Sequence, residues 1–198
     1  MTEKKDTVPT TNADFDKQYG SILHWVWRDV RVAGEIKQLV KRHKPQSSLE
    51  LGCGAGLFST FVGKQGVRAT GVDFSKVAIE KANQRRKDGA NDPEFIVGDV
   101  TDLKMLTEPF DVAFDVGCFH CLREDGQRKY ALELHRLLNP GSVLLIWALN
   151  HSPTDTMLDA DYMVDIFRGG FQLIDSKHSR RRIVGSRWYW FKRSQGNL

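Results

Sequence analysis

Little in this chain points to secretion, membranes or cross-links. Three cysteines, an odd number, do not suggest a disulfide framework. A reducing compartment, with free buried thiols at Cys53, Cys118 and Cys121, is the expectation. No apolar run approaches the ~20 residues that a membrane-spanning helix needs. The opening Met1-Thr2-Glu3-Lys4-Lys5-Asp6 lacks the apolar core of a signal peptide, so a cytoplasmic chain with no membrane partner is expected. No internal repeat is visible. No second Cys/His cluster accompanies Cys118-Phe119-His120-Cys121, so a four-ligand zinc site is not expected, and the pair does not open a helix in the manner of a redox Cys-x-x-Cys. The 198 residues suit one domain with a single core, and 40% hydrophobic with 27% charged residues is the balance of a soluble globular protein.

Against these absences one stretch stands out. In Ser48-Leu49-Glu50-Leu51-Gly52-Cys53-Gly54-Ala55-Gly56 an apolar run ends in three glycines at alternate positions, and the apolar Leu57 to Val62 follows at once. That order predicts a strand, a tight turn and a helix. Glycine suits such a turn because, without a Cβ, it takes positive φ and lets a ligand lie on its backbone. The helix that follows aims its free N–H groups at whatever occupies the turn. The spacing is G-x-G-x-G, not the G-x-G-x-x-G of dinucleotide-binding sheets, and no Gly-Lys-Ser/Thr follows as in a P-loop. A second predicted strand, Val67 to Asp73, ends in an acid about 20 positions after Gly52, the spacing at which a carboxylate reaches a ribose. Two vicinal hydroxyls can each donate to a carboxylate. Asp73 is alternatively a helix cap, although Ser75 is the better one.

Strands and helices then alternate: strands near 48–52, 67–73, 94–98, 111–116 and 142–149, with helices near 57–65, 75–87 and 123–138. Asn139-Pro140-Gly141 is expected to break the chain before the fifth strand. Thr154 or Asp155 is expected to cap a last helix running to about Arg168. Phe171 to Ser179 and Arg187 to Lys192 read as a closing hairpin. Such alternation implies a parallel sheet with helices on both faces. Residues 1–13 are polar and expected to be a disordered tail. Residues 14–198 form the domain, beginning with a helical segment over 14–45 that carries Tyr19 and Trp25 and is stopped by Pro45.

Five blocks carry a family resemblance. Leu49-Glu50-Leu51-Gly52-Cys53-Gly54-Ala55-Gly56, Gly71-Val72-Asp73-Phe74-Ser75 and Val97-Gly98-Asp99-Val100 come in order. Phe110 to Gly117 and Leu137 to Leu145 follow them. Together they resemble the class I S-adenosylmethionine-dependent methyltransferases. The resemblance implies a Rossmann-like three-layer α/β/α sandwich with a mostly parallel seven-stranded sheet, whose last strand is antiparallel and inserts beside the fifth. It implies S-adenosyl-L-methionine as cofactor. Gly52, Cys53, Gly54 and Gly56 would carry its amino-acid part, Asp73 the ribose, Phe74 the adenine face, and Asp99 with Val100 the adenine edge. Asp115 would stand where the methionine ammonium and the incoming substrate meet, although Asp99 and Asp115 are alternatively turn or cap acids, while Tyr19 and Trp25 either cover the methionine end as a lid or pack on the sheet edge.

The block Val116-Gly117-Cys118-Phe119-His120-Cys121-Leu122, with Trp188-Tyr189-Trp190, resembles the small-molecule branch: thiol, halide, thiopurine and tellurite-resistance methyltransferases. An Asn-Pro-Pro-Tyr block, which would indicate methylation of a base or amide nitrogen, is absent here. His120 is either a general base or a wall of the pocket. The function expected is in-line methyl transfer to a small molecule. The net charge of +4 sets an alternative, since Lys177, Arg180, Arg181, Arg182, Arg187, Lys192 and Arg193 crowd the C-terminal segment. Such a segment is either an RNA-binding patch on an RNA-directed methyltransferase or the solvated face of two strands. A nucleotide sensor or NAD-dependent protein on a similar sheet is the third possibility.

Overall fold

Helix α1 (Gly34–His43) opens the described part of the chain and buries Ile36 and Leu39 against the sheet. A computed structural model describes residues 31–86, 89, 91–151, 156–181 and 185–196. Tyr19, Trp25 and most of the expected lid lie outside those residues. Lys44 closes α1 in a left-handed conformation (φ 45°) and donates its N–H to the Val40 carbonyl (2.9 Å). Pro45 follows and prevents continuation.

The strands are β1 (Ser47–Leu51), β2 (Arg68–Asp73), β3 (Glu94–Val97), β4 (Phe110–Val116), β5 (Leu138–Leu149), β6 (Phe171–His178) and β7 (Ser186–Arg193). They form one sheet in the order β3-β2-β1-β4-β5-β7-β6. β1 to β5 pair in parallel, and β7 runs antiparallel to both β5 and β6. Helices α2 (Leu57–Gly63), α3 (Lys76–Gln84), α4 (Glu124–Leu137) and α5 (Ala160–Ile166) complete the layers. Every residue of β1 is buried, as expected of a central strand covered on both faces. That is why Ser47 to Leu51 shows no polar alternation.

Two cores flank the sheet. On one side Ile36, Leu39, Phe58 and Val62 meet Val112, Phe114, Trp147, Trp188 and Trp190. On the other, Tyr130, Leu134, Met163 and Phe167 meet Leu144, Ile146, Tyr189 and Phe191. The side chains of β7 alternate between these cores, so Trp188 and Trp190 face α1 and α2 while Tyr189 and Phe191 face α4 and α5. Each fully buried apolar side chain contributes roughly 1.5–3 kcal/mol relative to exposure.

Two expectations are corrected. Asn139-Pro140-Gly141 is not a loop before the fifth strand. Helix α4 ends at Leu137 and β5 starts at Leu138, which pairs with Phe110 before the register jumps to Val143 opposite Val112. The Pro-Gly pair therefore forms a bulge inside the strand, with Gly141 at φ 85°; proline lacks a ladder N–H and is tolerated at such a bulge. The last helix begins later than expected. Leu158 is pinned by its N–H to the Asn150 carbonyl (2.7 Å), and Asp159 caps the helix by accepting from the Tyr162 N–H (2.9 Å). Thr154 and Asp155 lie outside the described residues. Among those residues no helix is long and apolar enough to cross a membrane.

Candidate active site

Parallel pairing brings the carboxyl ends of β1 to β5 to one edge. Leu51 pairs with Val72 and with Asp115, Asp73 with Val97, and Asp115 with Ile146. Strand order reverses between β1 and β4, and ligands of open α/β sheets bind outside such a reversal.

The glycine turn sits there. Gly52, Gly54 and Gly56 all have positive φ (66°, 52° and 75°), a region that side chains resist. Gly52 is also needed for closeness: a Cβ added to it would stand 2.4 Å from the Cβ of Cys118. The turn is braced from β2. Asp73, almost wholly buried, accepts from the Gly54 N–H (2.8 Å) and from the Ser75 N–H (2.9 Å). Ser75 in turn caps α3 through its Oγ, which accepts from the Ala78 N–H (3.1 Å). Ser75 is thus the cap, and Asp73 keeps its place beside the turn.

Sequence reasoning passed over Glu50. Gly56 is the N-cap residue of α2 and has no side chain to cap it. Glu50 reaches across from β1 and accepts from the Ser59 N–H (2.8 Å) and from the Ser59 hydroxyl. A glycine chosen for its φ thereby has its missing cap supplied by a neighbouring strand. Complete burial, with Asp73 and Asp115 adding repulsion, pushes the Glu50 carboxyl up to about 8. An acid inside an apolar strand directly before a glycine turn was the available signal.

Asp115 takes the alternative role, that of an acid bound into its own turn. It is completely buried, and its carboxylate accepts from the N–H groups of Gly117 (2.9 Å), Cys118 (2.8 Å) and Phe119 (2.9 Å) and from the Tyr130 hydroxyl (3.0 Å). Both oxygens are committed to the loop after β4, so contact with a ligand ammonium does not fit this geometry. Burial pushes its carboxyl up to about 6, against these four donors, which favour the charged form.

Asp99 fits a ligand better. It is exposed just past β3, and its Oδ1 takes the N–H and hydroxyl of Thr101 (both 2.8 Å) while Oδ2 is engaged by no described residue. Phe74 is half-buried beside Asp73, and Val100 is buried beside Asp99.

His120 lies on the short 3-10 turn Phe119–Cys121, packed edge-on to Trp147 (centroids 5.9 Å apart). It is 2% exposed, and its Nδ1 has no hydrogen-bond partner among the described residues. Desolvation lowers its pKa to about 4, so it is neutral near pH 7. A group of so low a basicity accepts a hydrogen bond readily and takes a proton poorly. Burial raises the Cys118 and Cys53 thiols, and Cys121 reaches about 12, the opposite of what a thiolate nucleophile or metal ligand requires.

The described basic residues of the C-terminal segment divide between the two ends of the hairpin. Lys192 and Arg193 lie at the far end of the hairpin, paired with Gln172 and Phe171, and Arg193 donates to the His135 carbonyl (2.8 Å). Lys177 meets Glu35 (3.2 Å) on the α1 side. Arg182 lies outside the described residues.

Comparison with known proteins places these features in context. Residues 49–141 match the family model described as "Methyltransferase domain". An uncharacterised methyltransferase of Schizosaccharomyces pombe is 25% identical over 59% of this chain and 79% of its own length. The fold is similar to that of the N-methyltransferase NodS of Bradyrhizobium japonicum, solved with S-adenosyl-L-homocysteine. Its TM-score is 0.76 at 18% identity, covering 93% of this chain and 99% of that one. Magnesium protoporphyrin IX methyltransferase of Synechocystis, solved with bound S-adenosylmethionine, aligns with a TM-score of 0.73 at 16% identity over 96% of this chain and all (100%) of its own.

Proposed function

We propose that the chain, whose residues 49–141 match a methyltransferase domain, is a class I S-adenosylmethionine-dependent methyltransferase that methylates a small-molecule acceptor at the edge where β1, β2, β3 and β4 end. The observation that carries the acceptor reading is His120. A buried nitrogen without a partner, set against Trp147 at the end of β4, calls for a donor from a bound molecule. The two solved enzymes compared above are named for N-methylation and for a porphyrin, which supports a small acceptor here.

The residues present fit the donor. The positive-φ turn Gly52-Cys53-Gly54-Ala55-Gly56 receives the amino-acid part on its backbone. Asp73, at the end of β2, receives ribose hydroxyls. The open Oδ2 of Asp99 accepts from an exocyclic amine, with Val100 and Phe74 beside the base. The bound sulfonium supplies a methyl group that is already activated. What remains for the chain is alignment. His120, neutral, orients the acceptor by accepting its X–H. A thiol acceptor ionises sufficiently near neutral pH without a strong base. Asp115 acts through the loop it holds and touches neither partner. Tyr19 and Trp25 remain proposed covers of the methionine end, from outside the described residues.

Thermal shift against S-adenosylmethionine, S-adenosylhomocysteine and NAD tests the cofactor, with stabilisation by the first two expected. Radiolabelled methyl transfer over thiols, halides, phenols and amines, beside total RNA, tests the acceptor. Label found only in RNA would defeat the small-molecule reading. Asp73→Ala is expected to weaken S-adenosylhomocysteine binding by roughly 1–3 kcal/mol. It should also lower Tm, because the Gly54 and Ser75 N–H groups lose their acceptor. Calorimetric titration showing unchanged affinity would remove Asp73 from the ribose site.

A further inference from the structure

We infer that a cleft between α4, α5 and the start of β6 is a second binding site, which takes a small neutral aromatic molecule carrying a hydroxyl. It lies away from the glycine turn. α4 ends where β5 begins, and Phe171 opens β6 opposite Arg193. The neighbouring Lys192 pairs with Val143, well before β5 ends at Leu149. The cleft is therefore toward the amino ends of the parallel strands, whereas the turn is at their carboxyl ends. Its volume is about 380 Å³, and ligand sites run from roughly 300 to 1,000 Å³. Arg128, Ala131, Leu132 and His135 line it from one face of α4, at helical spacing. Leu132 is 57% exposed, a large apolar side chain left to solvent in the wall. Phe167 and Phe171 line the other side.

The polar groups select the ligand. His135 is 8% exposed, and its Nε2 has no hydrogen-bond partner among the described residues. That nitrogen is bonded to Cδ2, which a Cβ added to Gly170 would approach to 2.8 Å, and Gly170 also lines the cleft. The Cδ2–Nε2 edge of the ring thus stands in the wall that the glycine leaves open. Burial and the Arg193 guanidinium lower the His135 pKa, so the imidazole is neutral near pH 7. A buried polar atom of this kind calls for a partner. A hydroxyl serves whichever tautomer is present, because it both donates and accepts. A charged group does not suit the rim. Asp165 already binds Arg128 (2.9 Å) and Arg168 (2.8 Å), so an anion would compete with a carboxylate and an ammonium would face two guanidiniums. The body of the ligand is set by the rings. Phe171 meets His135 (6.3 Å) and Phe167 (5.6 Å) edge to face, and such a cluster receives one more ring in the same way.

The test titrates the full chain with para-cresol and with toluene, the same ring without the hydroxyl, and follows amide resonances by NMR. Para-cresol should give saturable shifts at Leu132, His135, Gly170 and Phe171, and should bind about 5- to 10-fold more tightly than toluene, as for one hydrogen bond. His135→Phe keeps a ring and removes the nitrogen, so it should erase that preference. Leu132→Asp changes an exposed wall residue, leaves the core alone and should weaken both ligands, which keeps the test decisive if the His135 variant folds poorly. No saturable binding, shifts confined to the glycine turn and the loop after β4, equal affinity for the two compounds, or a preference that persists in His135→Phe would each overturn the inference.

Discussion

Asp115→Ala will cost the fold about 3–5 kcal/mol, the range for removing the charged centre of a buried polar cluster. Four donors converge on this carboxylate, three of them backbone N–H groups that no rotamer change can redirect to water. Without it the loop after β4 loses its tie to Tyr130, and Phe119 loses the register that sets it against Tyr130 (5.4 Å) and Phe167 (5.6 Å). Urea unfolding followed by far-UV circular dichroism measures the loss. Tyr130→Phe, which removes one donor and keeps the ring, should cost about 1 kcal/mol. Asp115→Asn should fall between the two, since its amide oxygen still accepts while its NH2 confronts donors. An alanine variant within 1 kcal/mol of wild type would mean that the cluster contributes nothing to the loop.

The second large effect is a pH dependence. Burial raises the folded pKa of Glu50 from the ordinary 4.5 to about 8. A raised pKa means that the folded state binds the proton more tightly than the unfolded chain. Its stabilising contribution is complete below about pH 4.5 and is lost as pH rises toward and through 8. The loss amounts to a few kcal/mol by pH 9. Between pH 7 and 9 little else described should interfere. Asp115 titrates near 6, His120 near 4, and burial holds the thiols above the window. Glu50→Gln keeps an acceptor for Ser59 and has no proton to lose. Its unfolding free energy should be nearly flat over this window while that of wild type declines. Parallel curves for the two proteins would place the titration elsewhere.

These two residues also mark the limit of what the sequence discloses. The positions of Gly52, Gly54, Gly56, Asp73 and Asp99 at one edge were legible because each combines a local pattern with a strand end. The strand–turn–helix order alone predicts where they meet. Glu50 was not singled out, because its role depends on a helix that lacks a capping side chain. Asp115 is placed at the edge by its strand, with a ligand and its own turn both open to it as partners. Strand-end position says nothing about whether a carboxylate turns outward to a ligand or inward to its own loop. That choice is made by Tyr130, fifteen residues away on α4. The crowded arginines and lysines also divide in space: Lys192 and Arg193 lie at the open end of the hairpin, and Lys177 and Arg187 at its turn end.

The position of β7 has a consequence for how the molecule is made. β6 is bonded to β7 alone, and β7 is inserted between it and β5. On the ribosome, β6 therefore emerges before the one strand it can pair with. Meanwhile β5 displays an unprotected border along Leu144, Leu145 and Ile146, all completely shielded once β7 is in place. Such a border invites pairing with another nascent chain. The bulky Trp188-Tyr189-Trp190-Phe191 run, which follows both β5 and β6 in the chain, is the piece that seals it.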